Sequence, residues 1–323
     1  METTRIKAWI DCSTLARRAA AAIALLSLAW LAPGIPAAIA DDGGKILILN
    51  SSASVKKYAT VEEAFLSNLT NPTERVDMAS QGAASDALRE NLKNSGAALI
   101  YAIGSNAYQW AAHYAEQPIV FSSVINWRRQ PLREDSYGVA NELPSGVPLS
   151  MFRYLFPDIK TVGVLYSEKF NSEWLAEATA AAGDVHIELI GEKVAASAEV
   201  PEALAKLLPR VDAVWLISDP VVLANEKSAI ELFRVSDAKM KPVFAYDDVY
   251  VDLGAVLTIT ADIPTMGVQA AKLAEDVLSD REQIADRVES PAGSHITLNV
   301  GRLQRYRLNL NRQALGSVNR VIE

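Results

Sequence analysis

KILILN (Lys45–Asn50), AALIYAI (Ala97–Ile103) and PIVFSSV (Pro118–Val124) are three short apolar runs set among longer amphipathic segments. Each is rich in Ile, Leu, Val, Phe or Tyr and gives way to polar residues or glycine, so each reads as a strand buried on both faces. A helix is expected over Thr60–Leu69, with Thr60 as N-cap and Glu63 three residues on. Arg75–Met78 is a weaker strand, Ala83–Lys93 a helix closed by Asn94-Ser95-Gly96, and another helix runs from Gly104 through Ala115. Apolar strands alternating with helices predict a parallel sheet covered on both faces.

The same rhythm restarts beyond Tyr137–Pro144 (YGVANELP), which reads as a crossing segment. Strands are expected at Thr161–Tyr166, His186–Ile190, Ala213–Ser218 (AVWLIS), Pro242–Tyr246 (PVFAY) and Ala255–Ile259. Helices are expected near Val147–Phe156, Asn171–Ala182, Val200–Leu208, Leu223–Ala238 and Thr265–Leu278, before a last strand His295–Asn299 and a final helix. The prediction is an α/β chain of two doubly wound, Rossmann-like lobes. A hinge of crossing backbone, with no low-complexity linker, suits a clamshell that closes on a ligand.

The first forty residues carry a different signal. Arg5, Lys7, Arg17 and Arg18 precede an apolar run from Ala19 to Leu31, broken only by Ser27. Pro33, Gly34 and Pro36 follow, then Ala38-Ile39-Ala40 and Asp41-Asp42. This is the order of a secretory signal peptide cleaved after Ala40. The apolar run is shorter than the ~20 residues of a spanning helix. Cys12, the single cysteine, lies ahead of the run, unlike a lipoprotein cysteine. The leader holds four of 31 basic and two of 39 acidic residues, which leaves a net charge of −10 and no cysteine for the remainder. An exported chain without disulfides must hold itself together by its packed core. The acidic balance excludes a nucleic-acid binder, and the expected location is the periplasm, in a form that does not span the membrane.

Catalytic signals are sparse. His113, His186 and His295 have no metal-ligand spacing, no G-x-S-x-G elbow occurs, and no G-x-G-x-x-G follows a strand. No cofactor or metal is implied. Polar residues instead gather at the carboxyl ends of strands, where open α/β sheets bind ligands. They are Ser52, Ser105 and Asn106, Ser123, Ser167, Asn171, Asp219, and Tyr246 with Asp247. Ser105-Asn106 and Asn171 open helices, so their N–H groups suit a carboxylate, while Asp219 and Asp247 suit an amine. Ser105 and Asn171 read equally well as simple N-caps. A cleft role for Ser105 and Asp219 predicts that alanine at either weakens binding with little change in melting temperature. Trp127, in the polar loop Asn126-Trp127-Arg128-Arg129, suits an aromatic wall; the two arginines read first as solvated surface.

Taken in order, ALIYAIGSNA (Ala98–Ala107), QPIVFSSV (Gln117–Val124), GVANELP (Gly138–Pro144), LFPDIKTVGVLYS (Leu155–Ser167), VDAVWLISD (Val211–Asp219) and PVFAYD (Pro242–Asp247) resemble the ABC-transporter substrate-binding family of type I periplasmic binding proteins, in its tryptophan- and tyrosine-binding branch. That resemblance implies three crossings, with lobe 1 formed by residues 41–141 plus 263–285 and lobe 2 by 142–262 plus 286–323. Carried over by position, it also implies cleft residues Ser52, Ser105, Asn106, Ser123, Asn141, Ser167, Asn171, Asp219, Tyr246 and Asp247. Asn126-Trp127 and Asp219-Pro220 depart from the family pattern of Asp-Pro and Asp-Asn, so ligand identity is not inherited. The leading expectation is a solute-binding protein that hands a small organic molecule, a carboxylate or amino acid, to an ABC permease. A sensory binding protein signalling to a membrane kinase or cyclase has the same fold and cleft. An exported enzyme is disfavoured by the missing nucleophile and metal motifs.

Overall fold

The computed structural model describes residues 44–81, 86–279, 284 and 286–323. The leader, its cleavage point after Ala40 and Cys12 lie outside the described residues, as does part of the helix expected over Ala83–Lys93. The chain runs β1 (Ile46–Asn50), α1 (Lys56–Ser67), β2 (Thr73–Asp77), α2 (Met78–Gln81), α3 (Asp86–Asn94), β3 (Leu99–Ile103), α4 (Ser105–Tyr114), β4 (Ile119–Ser122) and β5 (Ser136–Val139). It continues through α5 (Gly146–Leu155), β6 (Thr161–Tyr166), α6 (Glu168–Asp184), β7 (Glu188–Lys193), α7 (Val200–Leu207), β8 (Ala213–Leu216), α8 (Glu226–Ala238), β9 (Val243–Ala245) and β10 (Leu257–Ala261). It ends with α9 (Ile263–Leu278), β11 (Val288–Glu289), β12 (Ser294–Asn299), α10 (Val300–Tyr306) and β13 (Arg320–Ile322).

These strands form two sheets, ordered β11-β5-β4-β3-β1-β2 and β13-β12-β10-β9-β8-β6-β7. Every pairing is parallel except β10 with β12. Period-two alternation divides each strand between two cores. In β1, Leu47 and Leu49 join the core under α3 and α4, while Ile46 and Ile48 join the core under α1 and α9. In β6, Val162 and Val164 pack with α5 and α6, and Leu165 packs with α7 and α8.

The chain passes between the sheets three times: between β5 and α5, between β10 and α9, and between β11 and β12. The third passage explains the antiparallel pair. A chain arriving at the carboxyl ends of a parallel sheet must run against its strands. The two-residue β11 bonds to the first sheet through Gly138 N–H to Arg287 O and Ala140 N–H to Glu289 O, both 2.8 Å. It carries the first sheet past residue 285, the limit expected from the sequence. Two other local expectations change. Helix α1 starts at Lys56, because the Val55 carbonyl already accepts the Tyr58 and Ala59 N–H groups, so Thr60 lies inside it. The crossing expected over Tyr137–Pro144 begins as a strand, with Gly138 pressed on the Phe121 ring, where a Cβ would come within 2.5 Å.

Candidate functional site

The carboxyl ends of β4, β8, β9 and β10 meet the first two crossings and the start of α6. Asn126, after β4, holds a left-handed backbone (φ +50°), which asparagine tolerates. Its N–H donates to Glu142 Oε1 at 2.6 Å, and its Nδ2 to Ser218 Oγ at 3.2 Å. Residues from the first sheet, the crossing and the second sheet are thereby tied together. A second bridge comes from Arg129, in a short 3-10 turn. Its guanidinium donates to Phe170 O and Asn171 Oδ1, both at 3.2 Å, and lies 4.8 Å from the Phe170 ring centre.

Asn171 interrupts the helical geometry of α6 with φ −135° and ψ 19°. Behind it lies Asp219, which is 1% exposed. Asp219 Oδ2 accepts from Ser167 N (2.7 Å), Ser167 Oγ (2.8 Å) and Asn171 Nδ2 (2.6 Å); Oδ1 accepts from Val221 N (2.8 Å) and Val222 N (3.1 Å). Burial alone would raise the Asp219 pKa, but hydrogen bonds from Ser167, Val222 and Asn171 outweigh it and hold the carboxyl below its ordinary value. Glu142 goes the other way. Burial raises its pKa, and the N–H groups of Asn126 and Glu142 with the charges of Arg128 and Arg129 only partly offset this. Burial also lowers the Arg129 guanidinium's pKa, against the pull of Asp219 and Glu142.

An inner cavity of about 80 Å³ opens here. By the ~10–15 Å³ that one water requires, it holds several waters or the body of a small organic molecule. Its walls are Trp174, Trp215, Tyr246, Leu143, Pro148, Ile217 and Ile259, with Asn126, Asn141, Glu142, Asn171, Ser218 and Thr260 supplying polar atoms. Trp174 and Trp215 meet edge to face with centroids 5.0 Å apart. The Tyr246 and Tyr250 hydroxyls lie 3.2 Å apart, and burial raises both phenols. An outer cavity of about 430 Å³ shares Asn126, Glu142, Leu143, Asn171 and Trp174 with the inner one. It adds Trp127, Arg128, Arg129, Lys169, Glu173 and Glu177.

Of the residues expected at the site, Asn141, Asn171 and Tyr246 line the inner cavity, and Trp127 and Asn171 the outer one. Ser167 and Asp219 stand behind Asn171 and orient it. The other five line neither cavity. Ser52 Oγ pairs with Ser54 Oγ at 3.0 Å, Ser105 Oγ accepts the Ile125 N–H at 3.1 Å, and Asp247 caps a turn by accepting the Val249 N–H at 3.1 Å. Asn106 is exposed. Ser123 is buried with φ +57°, and its hydroxyl has no hydrogen-bond partner among the described residues. The expectation that Asp219→Ala spares stability therefore gives way, since its lone pairs serve the fold. Glu142, Trp174 and Ser218 carry no sequence expectation as site residues, and Arg129, read first as solvated surface and second as a contact for a ligand anion or a partner, lines the outer cavity. GVANELP carried one usable signal, an acid inside a crossing segment. Among the described residues no three His, Cys, Asp or Glu gather as a metal site, and no helix is long and apolar enough to cross a membrane.

Residues 71–322 match the family model described as ABC transporter substrate binding protein. A tyrosine-binding protein of Clostridioides difficile is 23% identical over 193 residues, 57% of this chain and 55% of that protein, so the match spans little more than half of the relative. The ABC domain of a Streptococcus pneumonia protein in complex with L-Trp superimposes with a TM-score of 0.59 at 17% identity, covering 86% of this chain and 99% of that one. A ligand-free, open substrate binding protein with adhesive properties from Clostridium difficile gives a TM-score of 0.66, again at 17% identity and with 86% and 99% coverage. At this identity the structural likeness establishes the fold alone: two α/β lobes built as in type I periplasmic binding proteins.

Proposed function

The chain belongs to the ABC transporter substrate binding protein family, and from that premise we propose that it captures a small aromatic or apolar organic molecule bearing an amino group, in the cavity between its two sheets, and delivers it to an ABC permease. The two sheets with their helices act as lobes hinged near Asn141 and Ala261-Asp262. Residues 1–40 direct export to the periplasm and are removed, so N-terminal sequencing of the exported protein should begin at Asp41. The molecule acts as a binding protein and not as an enzyme.

The observation that carries the reading is the inner cavity, where three aromatic residues, Trp174, Trp215 and Tyr246, enclose a space edged by Glu142, Asn126 and Asn171. Binding pockets are commonly apolar with a few placed polar groups. The relative that binds tyrosine and the likeness crystallised with L-Trp support an aromatic ligand. A thermal-shift screen of the purified protein against amino acids, amines and small carboxylates tests this. A ligand at a hundredfold excess over its Kd stabilises by about 2.7 kcal/mol, or roughly 4–5 °C at this chain length. Since two tryptophans line the cavity, the same ligand should change tryptophan emission saturably. A stabilising ligand that leaves the emission untouched would place the site elsewhere.

A further inference from the structure

Resting on the solute-binding reading above, we infer that the inner cavity selects an organic cation: a small apolar or aromatic body with an ammonium group and no carboxylate to balance it. Among the described residues Glu142 is the one charged side chain lining that cavity. No lysine or arginine lines it, and among the described residues none pairs directly with Glu142, the charges of Arg128 and Arg129 acting on it from farther off. Two of the amide side chains lining the cavity are already engaged, Asn171 donating its Nδ2 to Asp219 Oδ2 at 2.6 Å. Asn126 gives its N–H to Glu142 and its Nδ2 to Ser218. Arg129 faces the outer cavity and is bonded to Phe170 O and Asn171 Oδ1. The start of α4, with Ser105 and Asn106, lines neither cavity.

An amino acid placed here would bury its carboxylate with no charged partner, a penalty of several kcal/mol in general. An ammonium group meets the opposite conditions. It donates a charge-assisted hydrogen bond to the Glu142 carboxylate and meets the electron-rich rings of Trp174, Trp215 and Tyr246. The upward pull of burial on the Glu142 carboxyl fits the same picture, because a cation arriving beside it would restore its preference for the ionised form.

Calorimetric titration of the purified protein with matched probes decides the matter. Tyramine, L-tyrosine and the acid left by removing the amine from tyrosine share one ring; tryptamine, L-tryptophan and the corresponding acid share another. The amine of each set should bind at least about tenfold tighter than its amino acid, a difference of about 1.4 kcal/mol, and the acid should not bind. Glu142→Gln keeps an acceptor for the Asn126 N–H, and should weaken amine binding by about tenfold or more. A raised carboxyl pKa gives stability that is present below the ordinary value and lost as pH rises through the raised one. Glu142→Gln should therefore melt higher than wild type at neutral pH, with the gap closing in acid, which verifies folding of the variant. Tighter binding of either amino acid, or of either acid, overturns the inference while the solute-binding reading stands. Absence of heat with all six probes also overturns it, and the wider thermal screen then decides the solute-binding reading separately.

Discussion

Asp219→Ala should unfold this protein more readily, although the residue sits beside the cleft. The substitution removes an acceptor of five hydrogen bonds. Three of the donor residues, Ser167, Asn171 and Val222, are 2%, 7% and 1% exposed. A buried donor left unpaired costs about 1–3 kcal/mol, and water entering the vacated space recovers part of that. The net loss should be about 3–5 kcal/mol, as for other broken buried charge networks. At about 1.5–2 °C per kcal/mol for a chain of this length, the melting temperature should fall by roughly 5–10 °C. Urea unfolding followed by circular dichroism measures the free energy. The pH dependence supplies a sign. Because the folded Asp219 pKa is lowered, its contribution is full above the ordinary value of 3.8 and is lost as pH falls through the lowered one. The gap between wild type and variant should therefore be widest near neutrality and shrink in acid. A loss below about 1 kcal/mol at neutral pH would refute the view that this carboxylate is committed to the fold.

Two further outcomes test the bridge and the helix pair. Arg129→Ala deletes the contacts to Phe170 and Asn171, so the free protein should show a larger radius of gyration by solution scattering, with a stability change within about 1 kcal/mol; an unchanged curve would mean that the bridge does not hold the lobes. Gly267→Ala adds a Cβ 2.5 Å from Val61 O and 2.7 Å from Ala64 Cβ, so despite a helix-propensity gain of about 1 kcal/mol it should destabilise by about 1–3 kcal/mol in denaturant melts, and a stabilised variant would contradict this packing.

How far the chain could be read in advance depended on the range of the interactions involved. β1, β3 and β4 were visible because fully buried parallel strands need unbroken apolar runs, which KILILN and its counterparts supply. β5 and β11 were not, since a four-residue strand containing Gly138 and a two-residue strand owe their existence to neighbours far away in sequence. The site shows the same division. Asn141 and Tyr246 sit at a crossing and a strand end, positions that topology alone marks. Ser105, Asp247 and Asp219 occupy equally suitable strand ends, yet their side chains serve the fold: Asp247 caps a turn, Ser105 holds the Ile125 N–H, and Asp219 binds Ser167 and Asn171. Nothing in a linear pattern separates a hydroxyl that caps from one that faces a cleft. Trp174 is the seventh residue of α6, where core packing is the ordinary reading, and only the approach of Glu142 and Tyr246 turns it into a wall.

Helix α9 has a consequence for how the molecule is made. Its Met266, Ala270, Ala271, Leu273 and Ala274 cover the face of the first sheet that includes Ile46, Ile48, Leu99 and Tyr101. A nascent chain reaching Tyr250 has every residue of β1 to β5 and still leaves one side of that sheet partly bare, because the covering helix has not yet been synthesised. Contacts of such long sequence separation slow folding. The first lobe should therefore finish only after most of the second has emerged, and the two halves, alike as they look, are not modules that can be excised or exchanged at a single cut.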